Sequence, residues 1–249
     1  MVAGNIHSTA IVDPLADIAD NVEIGPFSII HANVVLASGC KIGAYCELGV
    51  ESPLSDGSPL VIGNDSLIRS HSVFHESSRF GENLTTGHHV TVRGNTKAGK
   101  ALQIGVLGDI QGDCVIGDHV RFQSNVIIGK MSTIGNFVWM FPKVILINDP
   151  HPPSNILMGP IIEDFAVLAT MSVVMPGVKV GEGVLLAAHS ALKTDAEAHM
   201  LYSGSPAKKI CRTSRIRLKD GTRRPAYPWT SHFSRGYPEE IVKDWNTQE

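Results

Sequence analysis

No cysteine pair, no long apolar run and no surplus of one charge sign mark this chain of 249 residues. Its four cysteines include no Cys-x-x-Cys pair, which removes the commonest zinc and redox signatures along with any disulfide framework. Nowhere do about 18 apolar residues run together, so no membrane span is expected. The start, Met1-Val2-Ala3-Gly4, lacks the basic and apolar stretches of a signal peptide, and the expected location is cytoplasmic. With 21 basic against 24 acidic residues, the net charge of −3 gives no ground for a nucleic-acid binder or an acidic-membrane binder. Aromatic residues are scarce at 6%, whereas 24 glycines and 14 prolines announce many turns.

A six-residue period organises most of what is there. An aliphatic or large apolar residue recurs in runs of eight, four, eight and six hexads, beginning at Ile6, Ile62, Ile104 and Ile162. The residue after it is Gly at ten places, read here as a turn needing conformations that glycine adopts cheaply. The residue two before it is small, as at Ser28, Ser66, Ser132 and Ala166. Six is no helical period, and plain strand alternation would not place a turn at every sixth residue. Short strands joined by turns do fit: three sides close a coil of about 18 residues, and coils stack at about 4.8 Å, giving roughly nine coils. Each aliphatic then points inward onto its counterpart one coil away. Cys40, Cys46 and Cys114 fall at the small inward position and read as core residues rather than nucleophiles.

Three segments break the frame: 51–60, 82–101 and 148–160. The first and third are rich in Pro, Gly and Ser or Asn and read as surface loops; the second is too polar beyond Val92 to stay wholly inside. His7, His31, His75, His71, His119, His189 and His199 are expected to face solvent, as is Lys130. Pro238 followed by Glu239 and Glu240 announces a short helix through Trp245. Residues 1–210 are therefore expected to form the coil domain and 211–249 a C-terminal extension with a basic tail and that helix.

The repeat resembles the hexapeptide-repeat family, whose fold is a left-handed parallel β-helix shared by many acyl-CoA-dependent acyltransferases. Met140 through Pro152 looks like the segment of sugar O-acetyltransferases in which a hexad ends and His-Pro follows on a loop. Leu146-Ile147-Asn148-Asp149 also resembles a stretch of the nucleotide-amino-sugar N-acetyltransferases. Val174-Met175-Pro176-Gly177 and Ser203-Gly204-Ser205-Pro206-Ala207-Lys208 look like the sequences that close such domains. The resemblance implies a homotrimer with a cleft between subunits, and transfer of an acetyl group from acetyl-CoA to an amino or hydroxyl group of a sugar, nucleotide-linked in the reading adopted.

Within it, His151 is the expected general base, an imidazole able to take the acceptor's proton. Asn148 and Asp149 either orient the acceptor or the imidazole, or cap a turn. His88, His89 and Arg93 are candidate substrate contacts. Lys208, Lys209, Arg215 and Arg217 belong to a run of eight basic residues with one acid between 208 and 224, which either grips the phosphates of coenzyme A or is a solvated tail. Two alternatives stay open. A lipid A-type acyltransferase using acyl carrier protein carries its base in a repeat Ile/Val-x-His-Asp-Cys, and here Ile110-Gln111-Gly112-Asp113-Cys114 has Gly112 at the histidine position. A non-catalytic hexapeptide-repeat scaffold is the other. A zinc enzyme of this fold would need two histidines five positions apart; the chain has no such pair, so no metal is expected.

Overall fold

The computed structural model describes residues 5–246; the outer ends of the two expected domains lie outside the described residues. Strands of two to six residues stack into three sheets, here A, B and C, of 12, 10 and 9 strands. All pairings within the prism are parallel, each strand meeting the one a coil away, as Thr91 meets Asp109 and Val115 meets Thr133. The result is the expected all-β parallel solenoid. The inward residue of each side is shielded on both flanks: Ile30, Leu36, Leu48, Ile62, Ile68 and Ile110 are at most 1% exposed. Ile6, in the first strand with no coil before it, remains 47% exposed.

The small position has a polar logic as well as a steric one. Ser66 Oγ donates to the Gly63 carbonyl at 2.7 Å and accepts from Leu84 N–H at 3.2 Å, one coil on. Ser72 does the same with the Arg69 carbonyl and Val90 N–H. Thus the hydroxyl pairs with backbone groups that the corner would otherwise leave buried and unpaired.

Two expectations about the coils are corrected. Except at Gly49, whose φ is +85°, the glycine after the inward aliphatic is needed for space and not for a left-handed backbone: a Cβ on Gly63 would sit 2.5 Å from the Gly81 carbonyl carbon. The left-handed corner places are taken by other residues, among them Tyr45, His71, His89 and Asn125, with φ near +60°. Residues 82–101 do not leave the prism. Strands Thr85–Thr86, Thr91–Val92 and Lys97–Ala98 continue all three sheets, so sheet B counts 10 coils rather than nine. Thr86 takes an inward place because its Oγ1 accepts from Arg69 N–H at 2.9 Å, and Thr96 Oγ1 donates to the Arg93 carbonyl at 3.0 Å.

Beyond the last coil, strand Met200–Gly204 extends sheet A and strand Ala207–Arg212 folds back antiparallel on it, covering the edge. The chain then returns as a strap across the outer face of sheet A, ending in helix α1, Glu239–Asn246. Val167, Trp229 and Tyr237 form its buried heart, with Phe137, Trp139, Phe165 and Trp245 packed around them. Arg121 lies between the rings of Trp139 and Tyr237, 4.8 and 4.0 Å from their centroids, and donates to the Gly236 carbonyl at 2.6 Å. His119, expected in solvent, is instead buried at 5% exposure, stacked parallel on Phe137 at 5.2 Å beneath Tyr237. None of the described helices is long and apolar enough to cross a membrane.

Candidate functional site

The residue after each inward aliphatic of sheet B stands on the corner between sheets B and C. Its backbone is committed to the coil ladder: Arg93 N–H donates to the Ile110 carbonyl and Gln111 N–H to the Ile128 carbonyl, both at 2.9 Å. Only the side chains are free, so His31, His75, Arg93 and Gln111 line one corner. Both inserted loops leave from that same corner, the first after Val50 and the second after Leu146.

The 51–60 loop is folded back on the coils. Asn33 Nδ2 donates to the Ser58 carbonyl and to Glu76 Oε2, both at 3.0 Å, Ser55 Oγ donates to the Glu76 carboxylate, and Asp56 N–H donates to Ser77 Oγ at 3.0 Å. Hydrogen bonds from the Ser58 hydroxyl and N–H hold the Asp56 carboxyl down at about 2. This anchoring lays Leu54 over Gly112. A Cβ at Gly112 would stand 2.6 Å from the Gly94 carbonyl oxygen and 2.7 Å from Leu54 Cδ1, on a backbone with φ of +95°. No side chain fits there without displacing that loop.

Beside Gly112 lies a cavity of about 330 Å³ walled by Ser52, Pro53 and Leu54 of the loop and by His75, Arg93, Gln111 and Lys130 of the coils. His75, expected in solvent, is half-buried in it, and its Nδ1 is enclosed without a hydrogen-bond partner. Burial, and then the positive charge of Arg93, push its imidazole below the ordinary value, while Glu47 pulls the other way. The imidazole is thus kept neutral and able to accept a proton. Lys130 is no free surface cation: it pairs with Asp113 at 2.9 Å, and Asn95 Nδ2 donates to the same carboxylate at 2.9 Å.

The 148–160 loop carries His151 at an exposed position, and among the described residues its ring makes no hydrogen bond. Asp149 organises the turn beneath it. Its carboxylate accepts from His151 N–H at 3.0 Å, from Ser154 N–H at 2.9 Å and from Ser154 Oγ at 2.9 Å. Burial, the largest influence, acts to raise this carboxyl, but the Ser154 and His151 hydrogen bonds together bring it below its usual value. Of the two roles open to Asp149, the geometry displays the turn cap; it touches the backbone of His151 and not the ring. Asn148 fixes the loop's root by accepting from Met158 N–H through its carbonyl at 2.8 Å.

The other sequence candidates are dispersed. His88 and His89 stand on a different corner, between sheets A and B, where His89 ends a stack of Phe27, Tyr45, His71 and His89 with centroids 4.7–5.0 Å apart. Arg93 alone of that trio reaches the loop-bearing corner. Lys208 and Lys209 lie in the closing strand of sheet A, and Lys209 is paired with Glu197 at 2.7 Å. Arg215, exposed, ends the turn Thr213–Arg215, and Arg217, also exposed, follows on a hairpin bridged between Arg217 and Pro225. Cys40, Cys46 and Cys114 are buried as expected, and burial raises each thiol, Cys114 to about 11. What sequence reading missed is His75; nothing local in Val73-Phe74-His75 shows that a loop 20 residues earlier will roof it.

Residues 15–49 match the bacterial transferase hexapeptide (six repeats) family. Three solved structures align over most of the chain. An Arabidopsis UDP-N-acetylglucosamine acyltransferase shares 20% identity at TM-score 0.71, over 83% of this chain and 74% of its own. The enzymes of the same description from Campylobacter jejuni and Bacteroides fragilis 9343 share 17% identity each. The first has a TM-score of 0.57 over 98% of this chain and 84% of its own, the second 0.55 over 97% and 82%. At these identities the likeness is one of fold.

Proposed function

We propose that this chain, whose residues 15–49 match the bacterial transferase hexapeptide family, is an acyltransferase moving an acetyl group from acetyl-CoA to an amino or hydroxyl group of a nucleotide-linked sugar, at the corner between sheets B and C. The observation that carries this reading is His151, an exposed imidazole with no hydrogen bond among the described residues, on a turn fixed by Asp149. The acceptor's O–H or N–H gives its proton to that imidazole as the oxygen or nitrogen attacks the thioester carbonyl. Collapse of the tetrahedral intermediate breaks the C–S bond, and the imidazolium returns the proton to the departing thiolate. Arg93 offers guanidinium donors to the oxygen atoms of the acceptor sugar. Ile29, Val73, Ile127, Ile145 and Val173 give sheet B an apolar outer face that the strap does not cover, which supports the homotrimer included in the reading.

His151→Ala is expected to lower kcat by about 10²–10⁴-fold with an unchanged melting temperature. Retention of more than about a third of the turnover overturns the assignment. The second reading, a lipid A-type acyltransferase supplied by acyl carrier protein, draws on the fold shared with the UDP-N-acetylglucosamine acyltransferases. Its usual base position is Gly112, where no side chain fits, so that chemistry would fall to His75. Loss of turnover in His75→Ala, with His151→Ala active on an acyl carrier protein thioester, would select it. Absence of turnover with either donor would leave the scaffold.

A further inference from the structure

The strap encloses a second cavity, of about 420 Å³, at a different corner of the prism from the inserted loops, where sheets C and A meet near the chain end. Its size falls within the roughly 300–1,000 Å³ of small-molecule sites. One wall is aromatic: Phe165, Tyr227, Trp229 and Trp245. Trp229 stands at 5.4 Å and 80° to Trp245 and at 6.3 Å from Phe165, and its indole N–H is already engaged by the Phe165 carbonyl at 3.3 Å. These rings therefore offer faces and edges to a flat, weakly polar body. The other wall is charged, with the carboxylate of Glu182 and the guanidinium of Arg212 both exposed. Among the described residues neither takes part in an ion pair. Arg215 and Arg217 follow directly in the chain, likewise without an acidic partner, so the cationic side continues outward along the hairpin.

An aromatic wall, one acceptor carboxylate and a line of unpaired guanidiniums match a ligand with a stackable ring, an N–H edge and a phosphate. We propose that this cavity binds a nucleoside phosphate, its base against Tyr227 and Trp245 with an N–H toward Glu182, and its phosphate toward Arg212 and Arg215. In naming coenzyme A and a nucleotide-sugar as the two sources of such a group, the proposal rests on the function proposed above; the binding does not.

Two of the chain's three tryptophans line the cavity, so occupancy is read by quenching of their fluorescence. The intact protein is titrated with 3′-phosphoadenosine 5′-diphosphate, with UDP and with inorganic phosphate. One nucleotide is expected to bind with Kd below about 1 mM while phosphate alone gives no saturation. Adenine preference assigns the site to coenzyme A and uracil preference to the sugar nucleotide. Arg212→Ala and Glu182→Gln, both surface changes, should each weaken binding about tenfold or more. The proposal falls if neither nucleotide binds, if phosphate binds as well as the nucleotides, or if both variants keep the wild-type Kd. It falls too if binding is lost in Arg93→Ala instead, which would put the nucleotide at the loop-bearing corner. Nucleotide binding without thioester turnover would keep this site and remove the transferase reading; turnover without quenching would do the reverse.

Discussion

Ile116 is held by residues that repeat: Ala98 one coil before it and Ile134 one coil after, in the same register. Trp229 is held by residues that occur once, Phe165, Trp139, Tyr237 and Trp245, drawn from two coils and from the strap itself. The first arrangement spreads the cost of any one truncation over a column of equivalent neighbours, and its stability is a sum over coils and their contacts. The second concentrates adhesion in a patch with no replacement parts. Damage to the ladder should therefore spread along the prism, and damage to the patch should release the strap and leave the prism standing.

The sharpest break comes from Ile116→Asp, which leaves a carboxylate unpaired between stacked coils and should cost about 4 kcal/mol or more in denaturant unfolding. A loss near zero would mean that the inward column is not the core. Trp229→Ala should remove about 3–5 kcal/mol of packing. Hydrogen exchange is the informative readout: protection should vanish across 213–246 and persist in the coils. Equal loss in both would show that strap and prism open as one unit, and the contrast drawn above would collapse.

A smaller effect concerns pH. Burial, then the charges of Lys100 and Arg121 against the opposing Asp118, hold the His119 imidazole below its ordinary 6.5. The docked strap thus prefers the neutral ring, whose Nε2 has no partner. The undocked or unfolded chain takes up the proton more readily, so stability is full above about 6.5 and declines as pH falls below it. His119→Phe keeps the stack on Phe137 and should flatten this decline, leaving the part owed to His75, which is shifted in the same direction. An unchanged slope would exclude His119 as its source. Lys97→Asp, on the outer face of sheet C beside Arg79, should change stability by no more than about 0.5 kcal/mol.

The coils were legible because each inward place answers to one local requirement, met by Ile104, Ile110 and Ile116 without reference to anything distant. Segment 82–101 was misread because its inward places hold Thr86, which hydrogen-bonds to backbone, and the small Ala98, with Thr96 at the small place doing likewise, a solution that a hydrophobic count rejects. His119 was misread for another reason: the ring that buries it, Tyr237, lies at the far end of the chain and follows no period. At the candidate site, the 148–160 loop was visible from the failed frame and its prolines. The roofing of His75 and the crowding at Gly112 depend on how Leu54 folds over a coil that the chain has not yet built at that point.

The pairing register holds one more consequence. Ordinary coils pair residues 18 positions apart, as Thr91 with Asp109, whereas Glu47 pairs with Val73, 26 on, and Ile145 with Val173, 28 on. The two insertions lengthen the chain without breaking the inward register, Leu48 meeting Phe74 and Leu146 meeting Val174; the first leaves only a bulge, where His75 meets Val50. Scaffold and chemistry are thereby written in separable text: a corner can gain or lose a paragraph while every line of the column keeps its place, so such a prism can change what it acts on by editing loops alone.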